Sequence, residues 1–187
     1  MSRVAVLIDG SNFVNCLARA SLGFPALGPF LRLVADRSDL VFARFYYAPL
    51  QRQPFRGQWQ RFEAQNRGVD HLEFWHGHRD ANGREKEVDV ALAVDLVLGA
   101  ALDRYDRAIV VGGDGDHRYA IGTAGTLKPI LVALVEGQRA SAVRGLARDT
   151  RGLHAQGRGV KYREFTEQEL LERGVCASGA FAPSPWG

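Results

Sequence analysis

The chain has 187 residues, of which 46% are hydrophobic, and a formal net charge of +3. This length and composition suit one domain with a sizeable core, and no apolar run approaches the roughly 20 residues that cross a bilayer, so neither a membrane span nor a membrane partner is expected. Two cysteines, Cys16 and Cys176, give neither a disulfide framework nor a paired metal-ligand motif. We therefore expect a reducing, cytoplasmic location.

Arginine supplies most of the positive charge. Of 24 basic residues, only Lys86, Lys128 and Lys161 are lysines. An arginine guanidinium binds phosphate oxygens through two parallel hydrogen bonds and stacks on bases, so the bias suits a nucleic-acid partner. A GC-rich genome, whose codons favour arginine, explains the same bias equally well.

Short β-branched or aromatic runs alternate with longer amphipathic runs along the chain. In chain order they predict a strand at 3–8, helices at 11–21 and 27–38, a strand at 39–49, a helix at 54–68, a strand at 69–76, a helix at 88–100, strands at 107–113 and 129–135, a helix at 140–153 and a late edge strand at 160–165.

Single residues indicate where some of these elements begin, end and pack. Pro29 suits the first turn of the second helix, and Gly68 ends the third. Trp59 and Phe62 share one side of that third helix with Phe55, and we expect them in the core rather than stacked on bases. The helix at 88–100 is apolar almost all round, which predicts burial on most of its sides.

The alternation predicts an α/β fold of three layers, Rossmann-like, with a mostly parallel central sheet of about five strands and helices on both faces. We expect this domain to span residues 1–165. A C-terminal helix and a tail rich in Pro, Gly and Ala would follow at residues 166–187. A homodimer is compatible with the sequence, although we find no heptad or apolar stripe that indicates one.

Acidic residues stand where predicted strands end. Asp9 follows the first strand, Asp114 and Asp116 follow the fourth in GGDGDH, and Asp89 opens the helix that leads into that fourth strand. Ligands of parallel α/β sheets bind beyond the carboxyl ends of the strands. We therefore expect these four side chains to converge in space.

Converging carboxylates need a counter-charge. Two of them about 4 Å apart repel by roughly 4 kcal/mol at an effective dielectric constant of 20. Carboxylate oxygens without a nearby set of Cys or His ligands favour Mg²⁺ or Mn²⁺, which can activate a bound water and polarise a phosphate oxygen. We predict that Asp9, Asp89, Asp114 and Asp116 bind such an ion, with the glycines of GGDGDH turning the last two towards it.

Each of these residues also has a structural explanation when taken alone. Asn12 and Ser11 suit the cap of the first helix, Asp89 suits the positive end of its own helix, and Asp116 could bind its own loop. All of these roles would have to coincide, which favours the cation site. Asp95 is rotated by about 240° from Asp89 on the helix, so we expect it to support the site indirectly or to orient a basic residue.

Three blocks, VAVLIDGSN, KEVDVALAVDLV and YDRAIVVGGDGDH, resemble in their order and spacing the NYN domain, a PIN-like nuclease family, over about residues 3–153. The resemblance implies a PIN fold and metal-dependent hydrolysis of RNA phosphodiester bonds that leaves 5′-phosphate and 3′-hydroxyl ends. It also implies that Asn12 orients the scissile phosphate or the nucleophile. The positions in pattern are Asp9, Asn12, Asp89, Asp114 and Asp116, with Lys86 and Asp95.

The third block departs from the family motif at three positions. Two glycines of GGDGDH stand where serines are usual, and His117 stands where phenylalanine is usual. Loss of two hydroxyl groups could loosen the loop. His117 could contact phosphate or transfer a proton, or it could be a tolerated replacement at a half-buried position.

We expect single-stranded RNA as the partner, with its backbone on basic residues around the acidic site. The candidates are Arg52, Arg56, Arg79, Arg84, Lys86, Arg139, Arg144, Arg148 and Arg151. A charged helix face that is merely solvated is the alternative for each of them. His71, His76 and His78 lack a fourth ligand, so we expect no zinc site there.

Two other functions remain open at this point. One is a non-catalytic RNA-binding or regulatory module that keeps the acidic cleft. The other is a phosphatase with Asp9 as nucleophile, since IDG follows a strand. That chemistry usually requires a second aspartate two residues later, and Ser11 stands there.

Overall fold

A computed structural model of the chain describes residues 2–36, 38–50, 55–138 and 140–178. Arg52, Arg139, the side chain of Phe55 and the tail at 179–187 lie outside the described residues. The elements are β1 (Arg3–Asp9), α1 (Gly10–Arg19), α2 (Leu27–Ala35), β2 (Asp39–Tyr47), α3 (Phe55–Asn66), β3 (Leu72–His76), β4 (His78–Arg79), β5 (Glu85–Lys86), α4 (Val88–Ala101), β6 (Arg107–Val111), α5 (Arg118–Leu127), β7 (Pro129–Val135), α6 (Ser141–Asp149), β8 (Gly159–Phe165) and α7 (Glu167–Glu172).

Six strands form the central sheet, in the order β3-β2-β1-β6-β7-β8, and every neighbouring pair is parallel. This confirms the predicted parallel α/β architecture. The sheet has six strands rather than about five, because β8 pairs with β7 along its whole length. The short strands β4 and β5 form a separate antiparallel hairpin.

The residues of β1 alternate between two cores, one on each face of the sheet. Val4, Val6 and Ile8 pack with the apolar side chains of α1, α2, α3 and α7. Ala5 and Leu7 pack with those of α4, α5 and α6. All five are fully buried, as expected for a central strand of a covered parallel sheet. The domain therefore has three layers, with the sheet in the middle and helices on both of its faces.

Helix α5 is an element that the sequence analysis does not predict. Its sequence RYAIGTAGTL contains two glycines and two threonines, which are weak helix formers. Ala120, Ile121 and Ala124 are spaced to face one side, and all three are buried in the core against the sheet. Tertiary packing therefore stabilises a helix that local propensity does not indicate.

Helix α4 is less buried than predicted. Four apolar side chains along its outer side are 46% to 66% exposed, namely Val90, Val94, Leu98 and the capping Leu102. The prediction of burial on most sides is wrong, because a helix in an outer layer of the domain has one side that faces away from the sheet. Exposed apolar lines of this kind are typical of interaction surfaces. A homodimer stays a prediction.

The C-terminal segment continues the fold. Leu170 of α7 and the following Val175 and Cys176 are buried in the core that contains α1 and α2. Leu22 also forms an antiparallel bridge with Ser178. This segment therefore packs against the helices that cover one face of the sheet. The domain limit at residue 165 stays a prediction. None of the helices in the described part of the chain has the length and apolar character needed to cross a membrane.

Candidate metal centre

The candidate site lies at the carboxyl edge of the parallel sheet. Asp9 is the last residue of β1, Asp89 lies in the first turn of α4, and His117 ends the short 3₁₀ turn that follows β6. One donor atom from each of the three lies within 4.8 Å of the others. They meet because β1 and β6 are neighbours in the sheet and α4 leads into β6.

Asp9 is held through both of its carboxylate oxygens. The side chain is almost fully buried, and Oδ1 accepts a hydrogen bond from the Asn12 N–H at 3.0 Å, which caps α1. The other oxygen, Oδ2, lies 3.2 Å from His117 Nε2. These contacts fix the direction in which the carboxylate points, so Asp9 is the rigid member of the group.

Asp89 and His117 differ in exposure. The Asp89 side chain is 58% exposed and its Oδ1 lies 3.6 Å from His117 Nε2, whereas the His117 side chain is 1% exposed. Burial raises the pKa of Asp89, and the charges of Asp9, Asp114 and Asp116 raise it further, while His117 lowers it. The negative potential here therefore favours a bound positive charge.

Burial lowers the pKa of His117, but its surroundings have the opposite effect. The hydrogen bond to Asp9 and the negative charges of Asp9, Asp89 and Asp114 raise it, and they outweigh burial. The result is a histidine whose pKa lies above the ordinary value. Its protonated form thus supplies part of the counter-charge in the metal-free protein.

Asp114 and Asp116 stand beside the group of three rather than in it. Asp114 is half-buried, and its Oδ1 accepts a hydrogen bond from the Asp116 N–H at 3.0 Å. Asp116 is exposed. Both carboxylates are near enough to raise the pKa of Asp89. Direct binding of an ion by these two residues stays a prediction.

Asn12 is positioned by a residue that the sequence analysis does not identify. Its Oδ1 accepts a hydrogen bond from Gln138 Nε2 at 2.6 Å and faces the Gly113 N–H at 3.4 Å. No acceptor for its Nδ2 is found among the described residues, so the amide NH₂ is the part of this side chain that can bind a ligand. The one signal for Gln138 in the sequence is a polar residue that comes shortly after the end of β7.

The main role of the glycines in GGDGDH is to leave space for neighbouring side chains. Orienting the carboxylates of Asp114 and Asp116 is secondary. Gly112 has a φ of +137°, and a Cβ there would lie 3.1 Å from Asp9 Cβ. A Cβ on Gly113 would lie 2.9 Å from Gln138 Nε2, so the Gln138 amide occupies the space that a serine would need. At Gly115 the nearest atom would be 3.9 Å away, which leaves room for serine.

Asp95 lies outside the group, as its rotation on the helix predicts. Its carboxylate accepts a hydrogen bond from the Tyr46 hydroxyl at 2.7 Å and forms an ion pair with Arg44. Asp95 therefore binds a basic residue on the sheet. A second predicted accessory residue, Lys86, forms an ion pair of 3.6 Å with Asp80 in the hairpin segment.

Glu85 is a second residue that the sequence analysis does not identify. Its Oε2 accepts hydrogen bonds from the Ser11 hydroxyl at 2.7 Å and the Ala48 N–H at 3.0 Å. Burial raises its pKa, and the charge of Asp9 contributes to this. In the sequence it stands among other charged residues and looks solvated. Its contact with Ser11 leaves the capping of α1 to Asp9.

The predicted RNA-binding arginines differ in how free their guanidinium groups are. Arg79 is only 10% exposed; it donates to the Ala48 and Gly83 carbonyl oxygens and forms an ion pair with Glu85, so we assign it to holding the hairpin. Arg144 forms an ion pair of 2.6 Å with Glu164. The remaining described candidates are exposed, namely Arg56, Arg84, Arg148 and Arg151.

An open cleft lies beside Asp116, between α5 and α6. Its volume is about 670 Å³, and its lining includes Arg118, Tyr119 and Leu146. Tyr119 is 86% exposed, which is unusual for an aromatic side chain. The sequence does not predict this cleft, because no local signal indicates a helix in the segment that carries Arg118 and Tyr119.

Trp59 and Phe62 are buried, which confirms their predicted place in the core. The histidines considered for zinc, all of them described, are not members of the group formed by Asp9, Asp89 and His117. His76 contacts Tyr47 and Glu63, and His78 contacts Glu87. Over the described ranges, Asp9, Asp89 and His117 are the one group of three or more His, Cys, Asp or Glu with spacing suited to a metal ion.

The donor set at the carboxyl edge fits a divalent cation. It combines a buried carboxylate, a more exposed carboxylate and a buried imidazole nitrogen, with two further carboxylates beside them. Oxygen and imidazole donors are the ligands that divalent metal ions take in proteins. The exposed side of Asp89 leaves a route by which an ion and a substrate can reach the group.

Comparison with known proteins adds a family and a fold. The family model described as the NYN domain matches residues 3–149. No curated protein is significantly similar to the chain. A crystal structure of a protein of unknown function from Vibrio parahaemolyticus RIMD 2210633 is similar, with a TM-score of 0.67 and 18% sequence identity over 94% of this chain and 96% of that chain. At this identity the likeness concerns the fold alone.

Proposed function

Because the chain belongs to the NYN domain family, we propose that it is a metal-dependent ribonuclease that hydrolyses phosphodiester bonds of RNA. The observation that carries this proposal is the meeting of Asp9, Asp89 and His117 within 4.8 Å at the carboxyl edge of the sheet. The substrate would be single-stranded RNA, and the family resemblance implies products with 5′-phosphate and 3′-hydroxyl ends. The buried, unpaired thiols of Cys16 and Cys176 suit action in the reducing cytoplasm.

Asp9 and Asp89 would hold Mg²⁺ or Mn²⁺, with Asp114 and Asp116 binding it directly or through water. Such an ion supplies charge that polarises a phosphate oxygen and lowers the pKa of a water molecule. Asp9 is suited to this role because hydrogen bonds fix both of its oxygens before any ligand arrives. The exposed Asp89 can adjust to the substrate.

Asn12 would bind a non-bridging oxygen of the scissile phosphate through its amide NH₂. Its carbonyl oxygen is held by Gln138, so the NH₂ group keeps a fixed orientation without help from the substrate. Fixed hydrogen-bond donors of this kind stabilise charge that develops in the transition state. Gln138 therefore acts as a positioning residue.

The RNA backbone would approach over the cleft beside Asp116. Arg118 offers a charged group there, and the exposed ring of Tyr119 offers a surface on which one base can stack. Arg148 is exposed on α6, which borders the same cleft. Contacts of RNA with the candidates Arg52, Arg56, Arg84 and Arg144 remain predictions.

A non-catalytic RNA-binding module is the second candidate function. The observation in its favour is His117, whose ring lies against both Asp9 and Asp89 and carries a positive charge when it is protonated. A site neutralised in this way could keep its shape without a metal ion.

A cleavage assay separates the two candidates. Labelled single-stranded RNA is incubated with Mg²⁺ or Mn²⁺ and the wild-type protein, Asp9→Asn, Asp114→Asn or the matched control Asp70→Asn. Asp70 is exposed just before β3, at the opposite edge of the sheet. Since loss of even an outer-sphere partner costs about 10–100-fold, we expect Asp9→Asn and Asp114→Asn to lose at least about 100-fold in rate and Asp70→Asn to cleave normally.

Two results would contradict the ribonuclease proposal. Equal cleavage by all four proteins would indicate a contaminating nuclease. Binding of RNA by the wild type without cleavage in either metal would instead support the non-catalytic module. A chelator such as EDTA must abolish cleavage in the wild type.

A further inference from the structure

His117 stands where the family motif has phenylalanine, and its Nε2 faces two carboxylates of the proposed metal centre. We propose that His117 binds the metal ion through Nε2, and that the centre therefore prefers a first-row transition-metal ion such as Mn²⁺ or Co²⁺ to Mg²⁺. This inference rests on the proposed function, because it concerns the same ion. It changes the expected ligand set from oxygens alone to oxygens with one nitrogen.

The separations between the donor atoms suit a shared ion. His117 Nε2 lies 3.2 Å from Asp9 Oδ2 and 3.6 Å from Asp89 Oδ1. Two ligands that each lie about 2.1 Å from one ion are about 3.0 Å apart at a right angle and about 3.4 Å apart at the tetrahedral angle. These two separations are close to these values, and the donors of Asp9 and Asp89 lie within 4.8 Å of each other. The exposed Asp89 side chain can move to complete the ligand set around an ion.

The position of the imidazole is set before any ion binds. His117 is 1% exposed and stands at the junction between the 3₁₀ turn and α5, where the backbone fixes its Cα. Phenylalanine would fill similar space in the core but would offer no polar atom to Asp9 or Asp89. Burial of an imidazole at this place is therefore explained by what its nitrogen binds.

A nitrogen ligand alters which metal ion binds best. Mg²⁺ is a hard ion that prefers oxygen ligands, whereas imidazole suits transition metals. Affinity for such sites rises from Mn²⁺ through Co²⁺ along the first row. A centre with one imidazole and two carboxylates should accordingly favour these ions over Mg²⁺.

Metal titrations test this inference without reference to catalysis. The metal-free wild type, His117→Phe and the matched control His71→Phe are titrated with Mn²⁺, Co²⁺ and Mg²⁺ in a calorimeter. His71 is an exposed residue before β3, at the edge of the sheet opposite the site. We expect His117→Phe to lose at least about tenfold in affinity for Mn²⁺ and Co²⁺ and much less for Mg²⁺, with His71→Phe unchanged. Unchanged affinities in His117→Phe would overturn the inference.

A spectroscopic measurement on the wild type covers the case in which the variant does not fold. Pulsed electron paramagnetic resonance of the Mn²⁺-loaded protein detects the magnetic coupling of a directly bound ¹⁴N nucleus. We expect this coupling in the wild type. Its absence would show that His117 is not a ligand, whatever the behaviour of the variants.

The outcomes for the two proposals are distinct. Mn²⁺ bound with nitrogen coupling, in a protein that cleaves no RNA, would refute the ribonuclease and leave the ligand assignment standing. Metal-dependent cleavage that requires Asp9, in a protein without nitrogen coupling, would support the ribonuclease and refute the role of His117.

Discussion

Asn12 Oδ1 accepts a hydrogen bond of 2.6 Å from Gln138 Nε2, a residue 126 positions further along the chain. Gln138 is fixed in turn, because its Oε1 accepts a hydrogen bond from the Val135 N–H at 3.2 Å. The end of β7 therefore determines where the amide of Asn12 points.

We expect Gln138→Leu to lower kcat by about tenfold while KM and thermal stability change little, because the Asn12 amide loses the donor that orients it. Gln138→Glu should behave similarly, since a carboxylate cannot donate to Asn12 Oδ1. Steady-state RNA cleavage and thermal melts measure both effects. Gln60→Leu, on the exposed side of α3, is the control, and full kcat in Gln138→Leu would contradict the positioning role.

Serine substitutions at Gly115 and at Gly113 should have opposite results. Gly115→Ser should be nearly neutral, because its Cβ would meet no atom closer than 3.9 Å. Gly113→Ser should lower cleavage without much loss of stability, because its side chain displaces the end of the flexible Gln138 side chain. In a Gln138→Leu background, Gly113→Ser should have no further effect on the rate. Independent, additive losses would show that the two residues do not compete for the same space.

Protonated His117 should stabilise the metal-free protein at low pH. Burial lowers its pKa, but the contact with Asp9 and the charges of Asp9, Asp89 and Asp114 raise it above its ordinary value of 6.5. The stabilisation is fully present below the unfolded pKa and is lost as pH rises through the folded pKa. Denaturation in EDTA should therefore show the wild type losing stability relative to His117→Phe over the pH window that begins near the ordinary pKa of 6.5 and extends upward through the raised pKa. A constant difference over that window would contradict the prediction.

Asp95→Ala should destabilise the protein and spare catalysis. The substitution leaves the hydroxyl of the fully buried Tyr46 and the guanidinium of Arg44 without their shared acceptor. A lost partner of this kind costs about 1–3 kcal/mol of unfolding free energy. Urea denaturation measures that loss, and Tyr46→Phe, which removes the donor instead, should cost less. A drop in kcat without a drop in stability would place Asp95 in the reaction.

Arg148→Ala should weaken binding of single-stranded RNA about equally for all sequences. If its guanidinium contacts one phosphate, the slope of log affinity against log salt should fall by about one. Fluorescence anisotropy at several salt concentrations measures this in EDTA, which prevents cleavage. Arg104→Ala is the control, because Arg104 is exposed just before β6 at the opposite edge of the sheet. If the slope of log affinity against log salt were equal in both variants, Arg148 would not contact the RNA backbone.

The sequence is sufficient to predict a mostly parallel sheet and to place Asp9 and Asp89 together. Both inferences depend on local signals, namely apolar runs and the acids that follow or precede them. Helix α5 was missed because its stability comes from Ala120, Ile121 and Ala124 packing on the sheet rather than from helix propensity. The exposed side of α4 could not be predicted, because the helix is apolar almost all round. No polar face marks the side that lies away from the sheet.

The partners of the site residues could not be predicted. Gln138 contacts Asn12, which lies 126 positions away in the chain. Glu85 contacts Ser11, which lies 74 positions away. Nothing in the local sequence marks such a pair, since its members are polar residues of common types. His117 was noticed as a departure from the motif, but its contacts with Asp9 and Asp89 became visible only with the fold.

The strand order has a consequence for how the protein matures. One half of the sheet, β3-β2-β1, comes from the first part of the chain and the other, β6-β7-β8, from the second, and the acidic pocket forms only at their seam. A nascent polypeptide that has emerged only as far as β5 has Asp9 but lacks His117, Asp114 and Gln138. The proposed ribonuclease activity would therefore arise only after the chain has been synthesised as far as Gln138.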